Sequence, residues 1–177
     1  MSRSAAPVWT HDPAGTEAVG ALIARLLLDG SGVPGRHVTL SGDLGAGKTT
    51  LVRGLLRALG YTGAVKSPTF TLVESYELPP HEVHHFDLYR LPEGRPLAGI
   101  GFEDYLRPGA LCLIEWPERE PRLFNSAVLG VHLAGTGETR EIHVEPGDSL
   151  PAVVLGRLHD GLAVLRAAGA RGMSGSE

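Results

Sequence analysis

The segment Gly42-Asp43-Leu44-Gly45-Ala46-Gly47-Lys48-Thr49 constrains this chain more than any other. Its glycines let the backbone curl through conformations that a Cβ forbids. The short apolar stretch at residues 37–40 leads into it as a strand. Behind it, residues 48–59 carry Leu51, Leu55 and Leu59 on one helical face, with Gly60 as the stop. A strand, a glycine loop and a helix are the setting that Gly-x-x-x-x-Gly-Lys-Thr requires. There the loop N–H groups ring an anion at the positive end of the helix. The competing reading, a chance glycine-rich turn, lacks those flanks. The segment therefore reads as a phosphate-binding loop, with Lys48 on the outer phosphates and the Thr49 hydroxyl suited to magnesium.

The base is read by exclusion. Guanine-specific proteins with such a loop use an Asn-Lys-x-Asp signature, and the single asparagine here, Asn125, precedes Ser126. ATP with Mg2+ is the expected ligand pair.

The chain has 177 residues and reads as one domain over 1–177, with flexible tails expected at 1–8 and 169–177. Hydrophobic residues make up 42% and charged residues 20%, which is globular rather than disordered. A formal charge of −4 argues against a stand-alone nucleic-acid binder, which needs clustered Lys and Arg. One cysteine, Cys112, excludes an internal disulfide; it lies in an apolar run and reads as a buried strand residue rather than a catalytic thiol. No apolar run approaches the about 20 residues of a membrane span, and residues 1–7 carry no signal-like stretch. A cytoplasmic protein with no membrane partner is expected.

Residues 16–28 have helical spacing and 29–35 read as a loop. Strands are expected at 69–76, 82–86, 110–114, 127–134 and 138–145, with a loop at 92–96 and a short helical or turn segment at 102–106. Residues 150–168 read as a closing helix, with Ser149 as its cap and Pro151 in its first turn. The alternation predicts an α/β fold: a P-loop NTPase-like three-layer sandwich with a mixed, mainly parallel central sheet and helices on both faces.

A phosphate-loop site needs an acid on a neighbouring strand for magnesium, directly or through water. Two acids end apolar stretches, Asp87 after His84-His85-Phe86 and Glu115 after Ala-Leu-Cys-Leu-Ile. Both would sit at carboxyl ends of strands, where open α/β sheets bind ligands. The alternative for each is a plain strand-end or cap acid, and it is weaker for Glu115, where so apolar a run leaves a charge in need of a partner. Ser67-Pro68-Thr69-Phe70 is either a hydroxyl-bearing switch loop or simply a turn. His81-Glu82-Val83-His84-His85 fits the zinc-protease pattern H-E-x-x-H, which requires a helix. As a strand it holds His81 and His85 ~13 Å apart, too far for one metal. Trp116 either covers the site or belongs to the core, and Arg90 either meets phosphate or substrate or pairs with an acid such as Glu93.

Four motifs in order carry a family resemblance: Gly-Asp-Leu-Gly-Ala-Gly-Lys-Thr-Thr (42–50), Ser-Pro-Thr-Phe (67–70), His-His-Phe-Asp-Leu-Tyr-Arg (84–90) and Ile-Glu-Trp-Pro-Glu-Arg (114–119). Over about residues 10–145 the chain resembles the TsaE family, the ATPase of bacterial tRNA threonylcarbamoyladenosine biosynthesis. The resemblance implies nucleotide contacts from Gly42, Asp43, Gly45, Ala46, Gly47, Lys48, Thr49 and Thr50, with Trp116 beside them. It implies Thr49 and Glu115 as magnesium ligands, Asp87 in hydrolysis or the metal shell, and Thr69 as the switch threonine. It also implies partners, the TsaD and TsaB proteins, with tRNA met indirectly through their complex. TsaE would hydrolyse ATP to drive or reset that machine, which modifies position 37 of ANN-reading tRNAs. From about residue 146 no motif matches. A small-molecule kinase on the same loop is the alternative, with Arg90, Arg95 and Arg107 available for a lid; a nucleotide-dependent switch grades into the first reading.

Overall fold

The computed structural model describes residues 6–29, 33, 37–92 and 97–173. The elements are β1 (Val8–Thr10), α1 (Pro13–Leu28), β2 (His37–Ser41), α2 (Lys48–Ala58), β3 (Val73–Leu78), β4 (His81–Asp87), β5 (Ala110–Glu115), α3 (Arg122–Ser126), β6 (Leu129–Ala134), β7 (Arg140–Pro146) and α4 (Ala152–Met173). Short 3-10 turns at Leu97–Ile100, Phe102–Tyr105 and Pro117–Arg119 complete the described chain. One seven-stranded sheet runs β1-β7-β6-β2-β5-β4-β3. Its centre is parallel, β6, β2, β5 and β4 being joined in that sense. Antiparallel pairs flank it, β3 on β4 at one end and β6–β7–β1 at the other. The chain forms the expected mixed α/β sheet, parallel in the middle.

The two faces are covered unequally. One carries α1, α2 and α4 over the larger core, which includes Val38, Leu40, Val83, Leu111 and Leu113. The other carries 3-10 turns and α3, closing Phe86, Cys112 and Ile114 under Leu97, Phe102 and Leu123. The third layer of the expected sandwich is thus built mostly from turns. On the thicker side α1 begins at a true cap: the Asp12 carboxylate accepts the Gly15 N–H at 2.7 Å, and Pro13 follows in the first turn. α1 and α2 approach closely because of two glycines. A Cβ on Gly20 would lie 2.1 Å from the Leu51 carbonyl oxygen, and one on Gly54 2.1 Å from that of Glu17.

Several sequence expectations need correction. The strand expected from residue 69 begins at Val73. The N–H groups of Thr69 and Leu72 are spent on a turn, donating to the carbonyls of Ser67 and Pro68 at 2.8 and 3.0 Å. Leu72 then takes φ 67°, which no strand residue adopts. The tail expected over 1–8 ends earlier, because Val8 is 2% exposed in β1 and pairs with Ile142. The helix expected to stop at 168 runs to Met173. Gly169 lies against β1 so closely that a Cβ would meet the Trp9 carbonyl oxygen at 2.2 Å. The start of α4 also differs: Pro151 precedes it, its carbonyl accepting the N–H groups of Val154 and Leu155 at 2.9 Å, and the helix proper opens at Ala152. The loops expected at 29–35 and 92–96 fall largely outside the described residues, as do most of residues 1–7 and 174–177.

Candidate functional site

The glycine loop joins the carboxyl end of β2 to α2. Gly42, Gly45 and Gly47 all have positive φ, and a Cβ on Gly42 would lie 2.1 Å from the Leu133 carbonyl oxygen. Only glycine fits there. Gly47 caps α2 without a side-chain hydrogen bond, so no capping side chain occupies the first N–H groups of this 11-residue helix. That is the cradle an anion needs.

Lys48 is buried, 5% exposed. Its ammonium donates to the carbonyls of Gly42 and Asp43 at 2.5 and 2.8 Å and stands 4.3 Å from the centre of the Trp116 ring. Burial pushes the ammonium below the usual lysine range, while the carboxylates of Glu115, Glu118, Asp87 and Asp43 pull it back up. Trp116 reaches this position because its left-handed backbone, φ 59°, turns the chain directly after β5.

Strand alternation brings the acids to the loop. On β5, Leu111 and Leu113 face the helical layer and Cys112 and Ile114 face away, so Glu115 points to α2. On β4, Val83 sets the same parity for His85 and Asp87. Asp87 and Glu115 are register partners, both buried. Thr49 donates its hydroxyl to Glu115 Oε1 at 2.9 Å, and His85 Nε2 meets the same oxygen at 2.9 Å. Asp87 accepts the Ser67 hydroxyl on Oδ2 and the Tyr89 N–H on Oδ1 at 3.0 Å.

A cavity of about 430 Å³ opens between these groups. Gly45, Ala46, Gly47, Lys48, Thr49, Thr50, Thr69, Asp87, Glu115 and Trp116 all line it. Gly42 and Asp43 do not; they hold Lys48 from behind through their carbonyls. Thr69 sits on the turn ahead of β3, its hydroxyl 3.4 Å from the Ser67 carbonyl. Arg90 also lines the cavity, lying 5.0 Å from the Phe70 ring centre. Arg107 does not reach it, being paired with Glu82 at 2.9 Å near the amino end of β4. Arg95 lies outside the described residues.

Sequence reasoning missed two neighbours. Arg140 lines the cavity from β7 and donates to the Gly45 carbonyl at 3.0 Å. A lone arginine 95 residues from the loop gives no local signal. His85 was weighed only within the zinc pattern; the alternation that places Asp87 places it as well, and its strand geometry removes the zinc reading.

The residues fit a nucleotide with magnesium. The cradle presents N–H groups, a buried cation and a helix terminus to phosphate. Magnesium is held through one or two protein oxygens plus phosphate and water, and Thr49 and Glu115 supply a hydroxyl and a carboxylate side by side.

The comparisons with known proteins agree in direction. The family model "Threonylcarbamoyl adenosine biosynthesis protein TsaE" matches residues 10–142. The chain is 45% identical over 107 residues to the Haemophilus influenzae tRNA threonylcarbamoyladenosine biosynthesis protein TsaE, covering 60% of this chain and 68% of that one. To the Bacillus subtilis protein of the same name it is 37% identical, spanning 63% of that protein's length. To the Nostoc protein of that name it is 35% identical over 144 residues, covering 78% of this chain and 85% of the relative. The crystal structure of Bacillus subtilis YdiB superposes with a TM-score of 0.65 at 28% identity, covering 89% of this chain and 93% of that one. With the family model spanning the glycine loop, both strand-end acids and the edge of β7, the chain belongs to the TsaE family of threonylcarbamoyladenosine biosynthesis proteins.

Proposed function

We propose that this chain is a magnesium-dependent P-loop ATPase serving formation of threonylcarbamoyladenosine at position 37 of ANN-reading tRNAs. It hydrolyses ATP to drive or reset a complex of the TsaB and TsaD proteins and does not itself transfer the group. The observation that supports this most is the meeting of Lys48, Thr49 and Glu115 at the mouth of the glycine loop. In this reading the loop N–H groups and Lys48 bind the phosphates, the ammonium exchanging its two loop carbonyls for phosphate oxygens. Thr49 and Glu115 hold magnesium, which when bound neutralises charge on the phosphate oxygens. Asp87, steadied by Ser67 and the Tyr89 N–H, is placed to orient water or the metal's shell. Thr69 lies on the turn beside it.

The acidic formal charge of −4 suits a subunit that leaves most tRNA contact to its partners. No described helix is long and apolar enough to cross a membrane, and the reading places the protein in the cytoplasm. The test is ATP hydrolysis with and without TsaB–TsaD and tRNA. Strong stimulation by the assembly is expected; robust phosphorylation of a metabolite in its absence would establish the kinase alternative instead.

A further inference from the structure

The geometry points to His85 as a positioning residue that holds the Glu115 carboxylate for the magnesium ion; the inference rests on the ATPase reading above. His85 is fully buried, at 0% exposure, and its Nε2 lies 2.9 Å from Glu115 Oε1. A carboxylate oxygen only accepts, so Nε2 is the nitrogen that donates here and Nδ1 is the one left over. That Nδ1 is buried and finds no hydrogen-bond partner. An apolar side chain at this position, like Val83 two residues earlier on the same face, would leave no such orphan. The chain thus keeps a buried, unpartnered nitrogen on the ring whose other nitrogen touches the proposed metal ligand.

The bonding at Glu115 says what His85 is for. Oε1 receives both the Thr49 hydroxyl and the imidazole. The Thr49 oxygen keeps its lone pairs for a cation while its O–H donates to Oε1, and the imidazole supplies a second, ring-held donor that fixes the carboxylate's rotation. Groups that orient a metal-binding carboxylate in this way typically change metal affinity by about 10–100-fold when removed.

The experiment measures Mn2+ binding to the ATP-loaded protein by electron paramagnetic resonance, and ATP binding in EDTA, for the parent chain, His85→Leu, His85→Gln and His85→Asn. Leu should keep the melting temperature and the metal-free ATP affinity within about twofold, while Mn2+ affinity falls about 10–100-fold. Gln, whose amide nitrogen reaches the place of Nε2, should recover most of it; Asn, which is too short, should not. Mn2+ affinity in His85→Leu within twofold of the parent overturns the proposal. If that variant does not fold, equal Mn2+ affinity in the Gln and Asn variants overturns it. A parent chain that binds no ATP–Mn2+ overturns the ATPase reading itself, a different result from either.

Discussion

The same two strands, β4 and β5, treat their two faces in opposite ways. Toward α2 they send Val83, His85 and Asp87, and Leu111, Leu113 and Glu115: packing that turns into chemistry at the strand ends. Away from α2 they send His84, Phe86, Cys112 and Ile114, which meet aromatic rings and 3-10 turns and nothing catalytic. Each face buries an imidazole, His85 on the first and His84 on the second, but the first adds two buried acids, Asp87 and Glu115, groups that cost stability unless bonded. The second is free to maximise contact. In the proposed reading one face carries the chemistry, while the other sets how firmly the strands are held.

That contrast can be broken from either side. The largest effect belongs to the packing face. Phe86 is fully buried and stacks edge-on to Phe102 and Tyr105 at 5.3 and 5.2 Å. Phe86→Ala should cost about 3–5 kcal/mol of unfolding free energy in urea titration, while ATP affinity measured below the melting transition stays within about twofold. A comparable loss of affinity would show that the two faces are not separable.

On the chemical face the expectation reverses. Glu115→Gln keeps shape and leaves a carbonyl oxygen for both Thr49 and His85, so the melting temperature should hardly move. Magnesium-dependent turnover should fall about 100-fold or more, as when a preorganised charge is removed from a transition state. Steady-state hydrolysis at saturating magnesium checks it, and retained turnover would remove Glu115 from the metal site.

The smallest effect is a pH dependence on the packing face. Burial pushes the Cys112 thiol up from an ordinary 9.0 to about 12. Above pH 9 the unfolded chain loses this proton and the folded chain keeps it, so stability falls as pH rises from 9 toward about 12. The slope from this group is at most about 1.4 kcal/mol per pH unit. Denaturant midpoints at pH 8 and 10 should therefore differ less in Cys112→Ala than in the parent chain.

Much of the site was legible because its signals are local. The glycine loop needs particular residues at fixed offsets, and its flanking strand and helix announce themselves by hydrophobic period. Glu115 stood out because a charge ends an unbroken apolar run. Asp87 was found the same way, with a weaker run before it. The start of β3 was misplaced because β-branched and aromatic residues at 69–72 have strand propensity, and the hydrogen bonds that divert them into a turn do not show in composition. β1 was missed because three residues carry no period; it exists through pairing with β7.

By itself, then, the sequence determined the loop, the α/β alternation and the two strand-end acids, since each rests on spacing within a dozen residues. Tertiary structure alone decided the strand order that sets Asp87 beside Glu115 and the arrival of Arg140 at Gly45. It also decided the folding of Trp116 over Lys48 and the hold of His85 on the acid 30 residues away. These are contacts between distant segments, and their energies exist only once parallel pairing has brought the strands into register.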